Sequence, residues 1–235
     1  MLGTIVNVAA IIFGAILGDF LKTGFPERIK ATVMQGIGLV VILIGLSMAL
    51  KTQNALVVTL SIVIGGIIGE LLGIEEWLNG LGLKLEQRWV PSGRSDDGNF
   101  AKAFVTASLV YCVGAMAIMG ALESGLTGHH YTLFVKSILD GITSIVFASS
   151  MGIGVAFAAI PVFLYQGGIT LAASFIKPLL TDAIILEMSA TGGLLIFGIG
   201  INMLTGGRVQ IKIGNLLPGI FVAIPIVLLL ARFHM

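Results

Sequence analysis

The chain has 235 residues, of which 57% are hydrophobic and only 11% are charged, against about 25% charged residues in a soluble domain. This composition excludes a water-soluble globular protein and predicts an all-α integral membrane protein. The net charge of +1 leaves no basic surface for nucleic acid. Cys112 is the single cysteine, so we expect no intrachain disulfide and no thiolate metal site. No metal or cofactor is predicted.

Eight apolar segments have about the length that a helix needs to cross the hydrocarbon core. They span residues 3–21, 32–50, 55–73, 100–121, 131–149, 152–176, 189–205 and 213–232. These segments predict a polytopic bundle of about eight transmembrane helices that forms a single domain over residues 1–235. The first segment lacks a basic region before it and is expected to stay in the mature protein. Only Ser149, Ser150, Met151 and Gly152 mark the junction of the fifth and sixth segments, so two full crossings and a broken or re-entrant element both remain open.

The first and third segments share a pattern of glycines followed by a carboxylate. IIFGAILGDFL at 11–21 aligns without a gap on IVIGGIIGELL at 62–72. Glycines spaced in this way let helix backbones approach each other closely, within one chain or between chains. Asp19 and Glu70 fall at matching positions and are candidate ion-binding residues that would form a paired carboxylate mouth. The alternative is a pair of solvated helix ends with basic residues nearby.

The longest polar stretch lies between the third and fourth segments. Residues 74–99 begin with IEEWLNGLGLKLEQRW, in which apolar residues recur at helical spacing and two tryptophans suit a membrane–water interface. Gly80 and Gly82 weaken a single continuous helix. The stretch is predicted to be an interfacial amphipathic segment followed by a cytoplasmic loop.

The basic residues predict an orientation in the membrane, because they are enriched on the cytoplasmic side. With eight crossings and an external N-terminus, nine of the 13 basic residues fall inside: Lys22, Arg28, Lys30, Lys84, Arg88, Arg94, Lys102, Arg208 and Lys212. The other four fall outside or at outward span ends: Lys51, Lys136, Lys177 and Arg232. The sequence therefore predicts a bacterial inner-membrane protein with both termini on the periplasmic side.

The fifth segment carries charges in the middle of an apolar helix. Lys136, Asp140 and Ser144 are spaced by four residues and share one helix face. A charged side chain within a span costs about 2.5–3.5 kcal/mol on insertion scales, so it is a functional candidate by default. The three residues are the leading candidates for binding a substrate or ion. The alternative is a static ion pair that fixes packing.

The C-terminal segments supply weaker signals. Asn202 and Asn215 are candidates for substrate binding or for hydrogen bonds between helices. Gly- and Pro-rich runs at 149–154, 165–168, 189–193 and 214–219 predict helix breaks, of the kind at which transporters bind substrates. GLVVILIGLSM at 38–48 also aligns with GLLIFGIGINM at 193–203. This register predicts an inverted repeat of spans 1–3 in spans 6–8.

Four stretches carry a resemblance to a known family. They are GTIVNVAAIIFGAILGD at the N-terminus, SLVYCVGAMAI at 108–118, KSILDG at 136–141 and GNLLPG at 214–219. They resemble the YqgA/YdfK-type family of bacterial inner-membrane proteins, for which no substrate or catalytic residue is implied. Lys136 and Asp140 belong to the matching KSILDG motif.

Taken together, the polar stripe, the broken spans and the repeat favour a membrane transporter of a small solute or ion, coupled to protons or cations. The alternatives are a passive channel and a non-transporting membrane scaffold or sensor. No catalytic residue is assigned and no enzyme activity is expected, because no nucleophile–base motif occurs. The expected partners are the lipid bilayer, a small solute or ion, and a second copy of the chain in a homo-oligomer.

Overall fold

A computed structural model describes residues 1–22, 27–89, 99–205 and 210–232, and this part of the chain is almost entirely helical. The helices are α1 (Leu2–Lys22), α2 (Glu27–Ala49), α3 (Ala55–Leu72), α4 (Ile74–Trp89), α5 (Asn99–Cys112), α6 (Ala115–Leu126), α7 (Tyr131–Met151), α8 (Ala159–Leu171), α9 (Ala173–Ile176), α10 (Asp182–Leu204), α11 (Ile213–Leu216) and α12 (Pro218–Arg232). A 3-10 helix, Ile153–Ala158, joins α7 to α8. The all-α prediction is confirmed.

The helix ends follow local sequence rules. Asn54 precedes α3, and its side chain accepts a hydrogen bond from the backbone N–H of Leu56. Gly73 ends α3 in the left-handed conformation with φ of 61°, which favours glycine. Thr181 caps α10 in the same way as Asn54, so α10 begins at Asp182, seven residues before the predicted start at 189.

Within the described ranges, seven elements are long and apolar enough to cross a membrane singly. The predicted fourth span differs, because α5 and α6 are bent by 61° at a short break. Gly114 lies in this break with φ of 147°, a backbone conformation that residues other than glycine rarely adopt. The predicted span over 100–121 thus corresponds to two shorter helices, α5 and α6.

Two of the four Gly-rich runs are helix breaks and two are not. Gly152, with φ of 88°, ends α7 within the run 149–154, and the run 214–219 contains the junction of α11 and α12. The runs 165–168 and 189–193 lie inside the continuous helices α8 and α10. In α10 the glycine serves packing, because a Cβ on Gly193 would meet the Cβ of Met48 at 2.6 Å.

The described contacts divide the chain into two compact units. The first unit comprises Met1–Met34, Leu78–Cys112 and Met116–Lys177, and the second comprises Gln35–Trp77, Val113–Ala115 and Pro178–Met235. The single transmembrane domain expected over residues 1–235 stays a prediction. Helix α4 runs without interruption through Gly80 and Gly82 and exposes Trp77. Residues 90–98 of the predicted loop lie outside the described residues.

Within the first unit, α1 packs along α7 through its glycines. A Cβ on Gly14 would collide with the carbonyl oxygen of Gly141, and one on Gly18 would collide with that of Ile145. Gly3, nearer the start of α1, meets Leu133 in the same ascending order. The two helices therefore run parallel, with backbones in close approach.

This direction bears on the number of membrane crossings. Two parallel helices begin on the same face, so an even number of crossings must lie between the starts of α1 and α7. Helices α1, α2 and α3 supply three crossings, and the bent pair of α5 and α6 must supply the fourth. A re-entrant α5–α6 loop would make α1 and α7 antiparallel. The parallel contacts of α1 and α7 thus favour a crossing by α5 and α6 together; the described residues hold seven candidate spans, or eight if that bent pair is one span.

Within the second unit, α3 packs against α11 and α12 through the matching glycines. Gly65 faces the backbone of Gly219, and Gly69 faces that of Asn215. The order descends, so α3 and the last crossing are antiparallel, as eight crossings require. The aligned glycines of the first and third spans thus both serve close helix packing inside the chain. The inverted repeat of spans 1–3 in spans 6–8 stays a prediction.

Candidate functional site

The polar face of α7 is turned inward. Lys136, Ser137, Asp140 and Ser144 are all buried, while their apolar neighbours Ile138 and Leu139 are exposed. Asp140 is the tenth residue of a 21-residue helix, so it lies near the middle of the crossing. Three of the candidate residues predicted from the sequence are thereby placed on one buried helix face.

Lys136 and Asp140 form an ion pair one helical turn apart. The distance from Lys136 Nζ to Asp140 Oδ2 is 2.5 Å, and each residue is only 6% exposed. A charge that is removed from water needs a partner and further hydrogen bonds to be tolerated. The pair supplies the first requirement, and neighbouring helices supply the second.

Two amide side chains extend the ion pair to α1 and α8. The Asn7 amide Nδ2 donates to Asp140 Oδ2 at 3.0 Å and lies 3.2 Å from Gln166 Oε1, to which it also donates. Both amide residues are fully buried. The sequence marks Asn7 and Gln166 as polar residues within spans, but no local signal connects them to Asp140. Asn7 of α1 thus links Asp140 of α7 to Gln166 of α8.

Tyr111 and Ser144 close the cluster on the side of α5. The hydroxyls of the two residues are 2.8 Å apart, and both side chains are fully buried. Lys136 Nζ lies 5.9 Å from the centroid of the Tyr111 ring, within the range of a cation–π interaction. Sequence reasoning missed Tyr111, because an aromatic residue in an apolar segment gives no distinguishing signal. We call Asn7, Tyr111, Lys136, Asp140, Ser144 and Gln166 the central polar cluster.

Glu70 lies in a different environment, at the end of α3 in the second unit. Its carboxylate accepts from Lys212 Nζ at 2.7 Å and from Asn215 Nδ2 at 2.6 Å. The Glu70 and Lys212 side chains are both more than half exposed. The Glu70 carboxylate raises the pKa of the Lys212 amine, since it stabilises the charged form. This geometry matches the alternative of a solvated helix end with a basic neighbour.

Asp19 belongs to the first unit, near the end of α1, and is half-buried. Its pairing with Glu70 in a carboxylate mouth stays a prediction. It has the same place in its helix as Glu70, directly after the second glycine of the packing motif.

Asn202 and Asn215 both make side-chain hydrogen bonds to backbone groups. Asn202 donates to the carbonyl oxygen of Ile211 at 2.8 Å and accepts from its N–H at 2.9 Å. Asn215 accepts from the N–H of Glu75 at 2.7 Å, in addition to its bond to Glu70. Asn202 thus ties the segment before α11 to the end of α10, and Asn215 ties α11 to α3 and α4; substrate binding by either residue stays a prediction.

Glu187 is a buried carboxylate whose role the sequence did not reveal. It is 4% exposed and accepts hydrogen bonds from Thr52 Oγ1 at 2.6 Å and from the N–H groups of Gln53 and Asn54 at 2.8 and 3.2 Å. These donors precede α3, so the carboxylate also faces the positive end of the helix dipole. Glu187 thereby holds the α2–α3 turn.

Among the described residues, no group of three or more His, Cys, Asp and Glu side chains could hold a metal ion. His129 is exposed in the turn before α7, and His130 Nδ1 lies 2.9 Å from Ser124 Oγ. The two histidines thus face different surroundings.

Comparison with known proteins places the chain in a family. The family described as "Protein of unknown function (DUF554)" matches residues 2–228. The chain is similar to "Uncharacterized membrane protein YdfK" of Bacillus subtilis (strain 168), with 32% identity over 237 residues that cover 99% of this chain and 98% of that protein. It is also similar to "Uncharacterized protein YqgA" of Escherichia coli (strain K12), with 30% identity and 96% of each chain covered.

No solved structure matches the chain. The printed description of the first relative as a membrane protein agrees with the apolar helices of this chain, which is a multi-pass membrane protein. The resemblance expected from the sequence motifs is confirmed, and the chain belongs to the DUF554 family.

Proposed function

We propose that this protein transports a small solute or ion across the membrane, with coupling to protons or cations, and that Asp140 carries the exchanged charge. The observation that supports the proposal is the Asp140 carboxylate near mid-membrane. It receives hydrogen bonds from residues of two helices, α1 and α7, and belongs to a polar cluster whose residues come from four helices. A group held by several crossings responds when those crossings move.

The chemistry of the pair suits exchange of a positive charge. Asp140 with Lys136 has no net charge, which lowers the cost of burial relative to a lone carboxylate. A proton or a cation that binds Asp140 displaces Lys136 Nζ from Oδ2, and its release lets the ion pair re-form. Such a cycle has two discrete states, which is what coupled transport requires. A cationic or zwitterionic solute fits the intramembrane carboxylate.

The break beside α7 supports movement of the same helix. Gly152 ends α7 with a positive φ, and the next six residues form a 3-10 helix rather than an α-helix. Short 3-10 stretches within a span are often hinge positions. Residues around Gly152 are therefore the proposed hinge for α7.

The test is a flux assay on purified protein in liposomes that contain the pH indicator pyranine. Candidate solutes, such as amino acids, polyamines and alkali cations, are added outside, and proton movement is recorded. We expect Asp140→Asn to abolish the signal that the native protein gives. Glu76→Gln, which removes an exposed carboxylate at the start of α4, is the matched control and should retain the signal. Unchanged flux in Asp140→Asn removes Asp140 from the mechanism.

The rival proposal is a non-transporting scaffold or sensor, and the near-complete burial of Lys136 and Asp140 favours it. A scaffold gives no flux with any solute, although Asp140→Asn still lowers its stability. A passive channel differs from both, because it conducts in a planar bilayer without any coupling gradient. The three outcomes exclude one another in these two assays.

We also propose that the protein resides in the bacterial inner membrane with both termini outside. The support is the distribution of lysine and arginine, nine of which fall inside in this orientation. The absence of a nucleophile–base motif in the sequence supports transport over enzyme activity. The low net charge supports the lack of nucleic-acid binding. A homo-oligomer remains a proposal, although the glycine faces of α1 and α3 are already used within the chain.

A further inference from the structure

Four buried polar side chains of α1 and α8 contain atoms that find no partner in the described part of the chain. These atoms are Thr4 Oγ1, Asn7 Oδ1, Gln166 Nε2 and Thr170 Oγ1. Three of the residues are fully buried, and Thr170 is 6% exposed. Buried polar groups are normally satisfied by protein or by ordered water, since an unmet hydrogen bond is costly away from water. Four such atoms on two neighbouring helices indicate a site that accommodates polar groups or water.

The four residues form a row that starts at Asp140. Asn7 bonds to both Asp140 and Gln166, so these two amides mark one level of the bundle. Thr4 lies one turn before Asn7 on α1, and Thr170 lies one turn after Gln166 on α8. Because α1 runs parallel to α7 and α8 follows α7 as the next candidate span, α1 and α8 run in opposite directions. Both threonines therefore lie on the same side of the amides, toward the face at which α1 begins.

We propose that this polar row of Thr4, Asn7, Gln166 and Thr170 is the path by which protons reach Asp140 from the membrane face that carries the chain termini. The inference rests on the proposed transport function and deepens it, since it names the proton as the coupling ion and gives its side of entry. Hydroxyls and amides at one-turn spacing can hold a short file of water, each molecule of which needs two or more polar partners.

The chemistry of the row favours a proton over a metal cation. A site for an alkali cation offers oxygen atoms only, whereas Gln166 presents an amide N–H2 and Lys136 brings a positive charge next to Asp140. A proton needs only a chain of hydrogen bonds. It is released by a protonated water in the row, and a new O–H bond forms at Asp140 Oδ1, to which no described residue donates. Lys136 keeps its charge throughout.

The test measures protonation of Asp140 directly, without a transported solute. Purified protein with a C-terminal affinity tag is reconstituted, and vesicles with outward-facing termini are isolated through the tag. Infrared difference spectra record the band of a protonated carboxyl after an acid jump, and Asp140→Asn identifies which band belongs to Asp140. We expect the band to follow acidification of the outer solution and not that of the lumen.

Isosteric removal of the two hydroxyls tests the row itself. Thr4→Val and Thr170→Val should each slow the appearance of the Asp140 band about tenfold, as expected when one hydrogen-bonded step in a path is lost. Thr59→Val is the matched control, because Thr59 is an exposed threonine of α3 that bonds its own helix. Its rate should be unchanged.

The results separate the two proposals. An unchanged rate in both valine variants, a band that follows the lumen, or no Asp140 band at any pH at which the protein stays folded overturns the proton path. If Asp140→Asn nevertheless abolishes flux, the transport proposal stands without it. If Asp140→Asn leaves flux intact, the transport proposal is wrong whatever the infrared spectra show.

Discussion

Asn7 on the first helix donates a hydrogen bond to Asp140, 133 residues later on the seventh, at 3.0 Å between Nδ2 and Oδ2. The bond lies between two helices that also meet through glycines in parallel. Close backbone approach and a buried polar contact thus occur along the same helix pair. Movement of α7 relative to α1 must break this bond before it can change the surroundings of Asp140.

Removing the amide should therefore destabilise the fold. We expect Asn7→Ala to lower the free energy of unfolding by about 1–3 kcal/mol, because it leaves a buried carboxylate with one donor fewer. Thermal unfolding in detergent measures the change. Gln35→Ala on the exposed face of α2 is the control and should have little effect. An equal loss in both variants would show that the Asn7–Asp140 bond contributes nothing specific.

The ion pair should show strong coupling between its members. Lys136→Met leaves Asp140 as an uncompensated buried charge, and Asp140→Leu does the same to Lys136. Each change should lower the free energy of unfolding by about 3–5 kcal/mol. The double variant should recover most of this loss, since neither charge remains. A double-mutant cycle of unfolding free energies provides the measurement. Simple additivity of the two losses would contradict the pairing at 2.5 Å.

The glycine contacts make a prediction about packing. Gly14→Ala should cost about 1–3 kcal/mol, because its methyl group would enter the space of the Gly141 carbonyl oxygen. Gly36→Ala, at a helical position with nothing within 4 Å, should instead stabilise the protein by about 0.5–1 kcal/mol. The two variants have the same chemical change and opposite expected signs, and unfolding measurements compare them directly.

The residues that sequence reasoning found and missed differ in a physical way. The stripe of Lys136, Asp140 and Ser144 was recognised because its members share one helix, where spacing alone fixes the common face. Tyr111 could not be joined to that stripe, since its contact depends on how two separate helices pack. The role of Glu187 was missed for a related reason, because its partners belong to the α2–α3 turn, far away in sequence.

The span count was limited by a different effect. Hydropathy measures how apolar a segment is, and residues 100–121 satisfy it whether the chain crosses straight, bends or turns back. The direction of α7 relative to α1, given by glycine contacts far apart in sequence, favours a crossing by α5 and α6 together. The sequence contained Gly114 but no sign that its backbone would adopt φ of 147°.

Labelling can test whether the chain crosses the membrane between the start of α4 and the start of α7. In a background with Cys112→Ala, single cysteines at Thr127 and Glu76 are probed with a membrane-impermeant maleimide on vesicles of known sidedness; both positions are exposed. Eight crossings place the α6–α7 turn on the face of the termini and the start of α4 on the opposite face. We therefore expect Thr127→Cys and Glu76→Cys to react from opposite sides. Reaction of both from the same side would mean that α5 and α6 turn back without crossing, and would contradict the expectation of eight crossings.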